Sequence, residues 1–134
     1  MLGLLTLVLL VGIGGDASAG DEDGRVLADL PDPPYVAVIF SAVGTSDSEG
    51  YEPTLKAMRE LAQEQPGFLG IESAGGGAAK LEVTVSYWAS EADARAWKAV
   101  AEHAEAQRLG RERWYQSYRV RIARVDRAYG SFST

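Results

Sequence analysis

The segment Tyr35-Val-Ala-Val-Ile-Phe-Ser-Ala-Val43 is apolar on both sides of an extended chain. Successive side chains of a strand point to opposite faces. Tyr35, Ala37, Ile39 and Val43 therefore share one face, and Val36, Val38, Phe40 and Ala42 the other. A strand without a polar face belongs inside a sheet covered on both sides. The rest of the chain has to supply those two covers.

The elements that follow can be read in order. Gly44 to Gly50 is rich in Ser, Asp and Gly and reads as a loop. A helix is expected from about Glu52, with Pro53 at a first-turn position where its missing N–H costs nothing. Tyr51, Leu55, Met58 and Ala62 form its apolar stripe, and Pro66-Gly67 stops it. Phe68 to Ala74 is a short strand, Gly75-Gly76-Gly77 a turn, and Lys80 to Trp88 a third strand. In that strand Leu81, Val83, Val85 and Tyr87 alternate with Glu82, Thr84, Ser86 and Trp88. Two strands joined this closely pair as a hairpin. Ser90 caps a second helix, with Asp93 as the acidic half of a capping box. Ala94, Trp97, Ala101 and Ala104 form its buried stripe, and Gly110 breaks it.

Arg111 to Ser117 reads as one or two further helical turns, and Tyr118 to Tyr129 as the last strand. Tyr118, Val120 and Ile122 share a face there, whereas Val125 is out of phase, which predicts a one-residue bulge near Ala123-Arg124. The order is β-α-β-β-α-β, an α+β ferredoxin-like fold with an antiparallel sheet. Two helices cover only one sheet face. A second copy of the chain, related by a two-fold axis, is the simplest cover for the other, so a homodimer is expected.

The 134 residues suffice for one domain, and the 46% hydrophobic and 24% charged fractions are ordinary for a globular protein. Of the net charge of −6, −4 falls within residues 1–30 (Asp16, Asp21, Glu22, Asp23, Asp29 against Arg25). No concentrated basic field exists to drive nucleic-acid binding. The absence of cysteine removes disulfides, thiolate nucleophiles and Cys-based metal sites, and a single histidine removes any multi-His centre within one chain. Residues 1–33 stand apart from the domain expected over 34–134. Leu2 to Ile13 is apolar and is followed by Ala17-Ser18-Ala19, which has the form of an export signal. It lacks a preceding Lys or Arg and is too short to span a bilayer. Either it exports or anchors the protein, or it is an upstream extension of a cytoplasmic domain, which is the expectation adopted. An acidic, proline-closed linker follows it, and a membrane enters only if the segment is a true anchor.

Val85 to Tyr118 gathers all three tryptophans (Trp88, Trp97, Trp114), the lone His103, and Tyr87, Tyr115 and Tyr118. Any pocket should be lined from this stretch. The run Tyr87-Trp88-Ala89-Ser90-Glu91, then Trp97, then His103 six residues on, resembles the antibiotic biosynthesis monooxygenase domain family. So do Gln65-Pro66-Gly67-Phe68 and the opening strand. The resemblance covers about residues 34–130 and implies a dimeric α/β barrel built from two ferredoxin-like units.

Two chemistries belong to that family. One branch oxidises polycyclic phenols without metal or cofactor, by deprotonating a substrate that then reacts with dioxygen, and its sites use Asn, Trp and Tyr. The other degrades haem with a first-strand Asn, a Trp, and an axial His about ten residues beyond it. Here the first strand offers Phe40 and Ser41, the chain contains no asparagine, and Gln107 stands ten residues after Trp97. Haem degradation is disfavoured. The resemblance thus implies a cofactor-independent monooxygenase acting on an aromatic or quinone-like small molecule, with no metal. The alternative is a non-catalytic ligand-binding or stress-associated dimer of the same fold.

His103 is the natural general base, since its unperturbed pKa lies near neutrality. It falls about 120° from the buried stripe of its helix, where a purely structural bond to a neighbour is the alternative. Trp88, on the mixed face with Glu82, Thr84 and Ser86, suits a pocket wall or an interface. Trp97 suits the core or the pocket. Trp114 and Tyr115 suit a cavity mouth or a dimer seam, and Tyr118 and Tyr87 each offer a phenolic hydroxyl, with a backbone acceptor as the structural alternative. The expected site is Trp88, Trp97, Trp114 and Tyr118 between the sheet and the second helix, with His103 at the rim.

Overall fold

A computed structural model describes residues 27–47, 51–108 and 114–131, with the side chains of 103–108 excluded. It contains β1 (Tyr35–Gly44), α1 (Tyr51–Gln63), β2 (Phe68–Gly75), β3 (Leu81–Trp88), α2 (Glu91–Arg108) and β4 (Tyr115–Val125). The sheet order is β2-β3-β1-β4 and every pairing is antiparallel. The fold is ferredoxin-like α+β, and the four-stranded sheet is open.

β1 occupies the interior, hydrogen-bonded to β3 on one side and β4 on the other. Its even-numbered face joins the helices in the main core: Val36, Val38, Ala62, Trp88, Ala94 and Trp97, with Met58, Leu61, Phe68, Val100, Ala101 and Val120 packed around them. Trp88 is the largest fully buried side chain. Its ring stacks on Trp97 at 5.7 Å and meets the Phe68 ring edge-on at 5.6 Å. Burying such rings supplies several times the stabilisation of an alanine contact, so this corner anchors α2.

The start of α2 is capped as its sequence indicates. Ser90 Oγ accepts from the Asp93 N–H at 3.1 Å and donates to Asp93 Oδ2 at 2.9 Å. Gly67, with φ +81°, passes so close that a Cβ there would fall 2.1 Å from Asp93 Oδ2. Its carbonyl accepts from the Ala89 N–H at 2.8 Å, which ties the end of α1 to the start of α2. Only glycine fits both the conformation and the space.

The last strand differs from the sequence expectation in two ways. Trp114 is helical, but Tyr115–Ser117 already belong to β4, while residues 111–113 lie outside the described residues. The strand begins early because β1 still offers partners there: Ser117 pairs with Val43 and Tyr115 with Gly44, with the register shift between them. The irregularity therefore lies at this end. Pairing runs unbroken from Ser117 to Val125, with no bulge at Ala123-Arg124. Val125 pairs with Tyr35 and Ala123 with Ala37, on the outer sheet face, whereas Val120 and Ile122 face the helices. The phase change records a strand with apolar residues on both faces.

Part of the outer face is covered by the chain itself. Ala28 and Leu30 pack over Gly70, and Tyr35 and Ala37 are buried. Ile39, Val43, Val83 and Val85 stay partly exposed, and Leu81 is exposed. Among the described residues no helix is long and apolar enough to cross a membrane.

Candidate active site

Between the inner sheet face and the two helices lies a cavity of about 660 Å³. That is the size of a small-molecule site. One wall is aromatic. Phe40 stacks on Tyr118 at 5.9 Å and meets Tyr115 at 5.3 Å. Tyr51, at the start of α1, packs edge-on to Trp114 at 5.6 Å and to Tyr115 at 6.1 Å. Trp97 closes the α2 side, and Leu55, Met58, Ile71 and Val120 complete the apolar lining. The helices cover β4 least, so Tyr118 and Ile122 on its inner face are 43% and 40% exposed and form the mouth.

The opposite wall is polar and comes from β3. Glu82, Thr84 and Ser86 alternate along the strand and all face the cavity. Glu82 is only 5% exposed, and the Tyr51 hydroxyl donates to its carboxylate. Burial pushes the Glu82 carboxyl up; the Tyr51 hydrogen bond pulls it down, the Glu52 charge raises it, and Arg59 lowers it. The outcome is upward. Tyr51 is itself pushed far up, first by burial and then by the hydrogen bond to Glu82, so it stays protonated and donates. Ser86 Oγ accepts from the Trp88 indole at 2.9 Å. Thr84 Oγ1 is buried and has no hydrogen-bond partner among the described residues.

Trp97, Trp114 and Tyr118 of the expected site line this cavity. Trp88 lies beneath it, fully buried under Trp97 with its N–H satisfied by Ser86, and forms no part of the wall. His103 is in α2, and its side chain lies outside the described residues. Two cavity residues of chemical weight were missing from the sequence expectation: Glu82, taken as the polar half of an alternating strand, and Tyr51, taken as the start of an apolar helix stripe. The signal was a carboxylate on the β3 face that also carries Trp88. It was masked because the cleaner apolar face of β3 turns away from the helices. Among the described residues no cluster of three His, Asp or Glu could hold a metal ion.

The fold class is a ferredoxin-like α+β unit with an aromatic-walled cavity between its sheet and its helices. The chain belongs to the antibiotic biosynthesis monooxygenase family, whose model matches residues 34–109. It is 46% identical over 101 residues to the uncharacterized protein YqjZ of Bacillus subtilis, covering 75% of this chain and 88% of that protein. It also resembles the crystal structure of a protein of unknown function from Nitrosomonas europaea. That likeness has a TM-score of 0.54 at 15% identity, over 75% of this chain and 97% of the other, and it speaks for the fold alone.

Proposed function

We propose that the protein is a cofactor-independent monooxygenase that acts, as a homodimer, on a flat aromatic or quinone-like small molecule. The observation that carries this reading is the cavity wall of Phe40, Tyr51, Trp97, Trp114, Tyr115 and Tyr118, which offers ring faces and edges to an open-mouthed cleft. Flat apolar ligands fit such a wall, and the polar strip on β3 can orient their oxygens. Family membership supports the oxygenase chemistry. Glu82 lines the cavity and His103 is the general base expected from the sequence, so these are the two candidates to take a proton.

Three tests bear on the reading. Incubation with anthrone in air should consume dioxygen in proportion to the quinone formed. Tight binding without oxygen uptake would instead support the non-catalytic ligand-binding dimer, a reading favoured by the absence of asparagine. The partly exposed apolar outer face supports the dimer, and a monomeric mass by light scattering at micromolar concentration would remove it. We propose a cytoplasmic location; fractionation of producing cells tests it, and recovery outside the cytoplasm would remove it.

A further inference from the structure

Resting on the oxygenase reading, we propose that Glu82 is the proton acceptor of this cavity, that Tyr51 is its positioning residue, and that Thr84 binds the substrate oxygen on which charge develops. Glu82 is buried and lines the cavity, and the Tyr51 hydroxyl, its side-chain donor among the described residues, is shared between both carboxylate oxygens. One O–H thus serves a group with about four acceptor sites, and the rest are left to a ligand. Thr84 stands two residues along on the same strand face, and its hydroxyl is buried without a partner among the described residues. An unmet polar group in a protein interior costs stability unless something arrives to satisfy it. The spacing of about 6.8 Å between alternate strand residues is on the scale of one aromatic ring. A ring with a carbonyl or hydroxyl at one position and an acidic hydrogen across from it would meet both groups together, its faces held by the aromatic wall.

The chemistry balances with dioxygen as co-reactant. The Glu82 carboxylate takes one proton from the ring CH₂, and the electron pair passes to the ring oxygen, where Thr84 donates a hydrogen bond to the enolate. The carbanionic carbon bonds to dioxygen, and Glu82 returns its proton to the peroxide. Removal of the second carbon-bound hydrogen by Glu82 forms the carbonyl as the O–O bond breaks. The departing hydroxide takes that proton as water. Carbon loses four electrons, dioxygen gains four, and the carboxylate is restored.

Tyr51, Glu52 and Arg59, all from α1, act on the Glu82 charge; the other titratable groups lining the cavity are Lys98 and Glu102 from α2 and Tyr115, Tyr118 and Arg119 from β4. Lys98 and Glu102 pair with each other at 3.4 Å on the surface. A base must be ionised to act, so turnover is lost as pH falls through the Glu82 pKa. Tyr51→Phe removes a donor to the carboxylate and should move that midpoint to higher pH.

The deciding experiment measures two reactions of the same proteins with anthrone: exchange of its CH₂ hydrogens in deuterium oxide under nitrogen, and oxygen uptake in air. The wild type should accelerate both. Glu82→Gln should lose about 100-fold or more in both while binding anthraquinone, followed by tryptophan quenching, within about threefold of wild type. Thr84→Val should weaken anthraquinone binding about tenfold and leave binding of anthracene unchanged. Exchange that survives in Glu82→Gln, or a pH midpoint unmoved in Tyr51→Phe, overturns the proposal while leaving the oxygenase reading intact. Exchange without oxygen uptake overturns the oxygenase reading and keeps Glu82 as the base. Neither reaction in the wild type overturns both.

Discussion

Two tyrosine–glutamate pairs stand among the described residues, one on each face of the sheet, and they are built for different work. On the outer face Tyr87 donates to Glu72 at 2.6 Å, and the Ala28 N–H donates to the same carboxylate at 3.0 Å. That pair fastens the incoming chain to the sheet, beneath a Tyr35 ring packed edge-on to Tyr87 at 5.7 Å. On the inner face the Tyr51 hydroxyl meets both carboxylate oxygens of Glu82, and that residue lines a cavity. Both tyrosines are pushed up by burial first and by their glutamate second, so both remain donors. The difference lies in what else the glutamate meets. Two protein donors converge on Glu72, whereas Glu82 has room for a ligand. Chemistry requires the second arrangement.

The comparison is broken most directly by removing each charge in turn. Glu82→Gln should lower kcat about 100-fold or more, and Glu72→Gln should leave it within about twofold. Equal losses in the two variants would mean that both pairs act only through the fold. Oxygen uptake at saturating substrate reads the difference.

Stability should move in opposite senses. Breaking the outer clamp with Tyr87→Phe leaves a half-buried carboxylate with one donor fewer, a loss of about 1–2 kcal/mol and several degrees in Tm. Glu82 runs the other way. Its carboxyl is pushed up in the folded state, so the native protein binds that proton more tightly than the unfolded chain. The resulting stability is present at low pH and is lost as pH rises through the folded pKa. Glu82→Gln should abolish that dependence and should match or exceed the wild-type Tm at pH 8. A site that costs stability to hold a reactive group is the usual exchange between function and folding. Thermal melts of the three proteins between pH 5 and pH 8 test both signs.

The outer and inner faces also differ in how legible they were. β1 announced itself as an interior strand because neither of its faces is polar, and Ser90-Glu91-Ala92-Asp93 announced the cap of α2, since both signals are local. Trp97, Trp114 and Tyr118 pointed to the cavity because large rings in one stretch must pack somewhere together. Glu82 was not legible. Alternation in β3 separates two faces but does not say which one meets the helices, and here the more apolar face turns away from them. Tyr51 was hidden for a related reason, being an apolar-stripe residue whose hydroxyl finds its partner 31 positions away. Tyr115–Ser117 read as helix because their strand register is set by Val43 and Gly44, a contact that sequence spacing does not encode. The cover supplied by Ala28 and Leu30 depends on Gly70, where the missing side chain makes room.

The smallest expected effect sharpens the comparison furthest, because it asks whether the Glu82 charge is felt where the geometry places it. Glu52 is exposed at the first turn of α1 and raises the Glu82 pKa through its charge alone. Glu52→Gln should therefore move the midpoint of the kcat profile to lower pH, opposite in sign to Tyr51→Phe. Added salt should erase that shift, since an exposed charge is screened over about 10 Å at 0.1 M. The Tyr51→Phe shift should survive the same salt, because a direct hydrogen bond in a buried site is screened far less. Tyr87→Phe should move the midpoint in neither condition, since its glutamate lies on the other side of the sheet. Shifts of the same sign for Glu52→Gln and Tyr51→Phe would show that the titrating group in turnover is not Glu82.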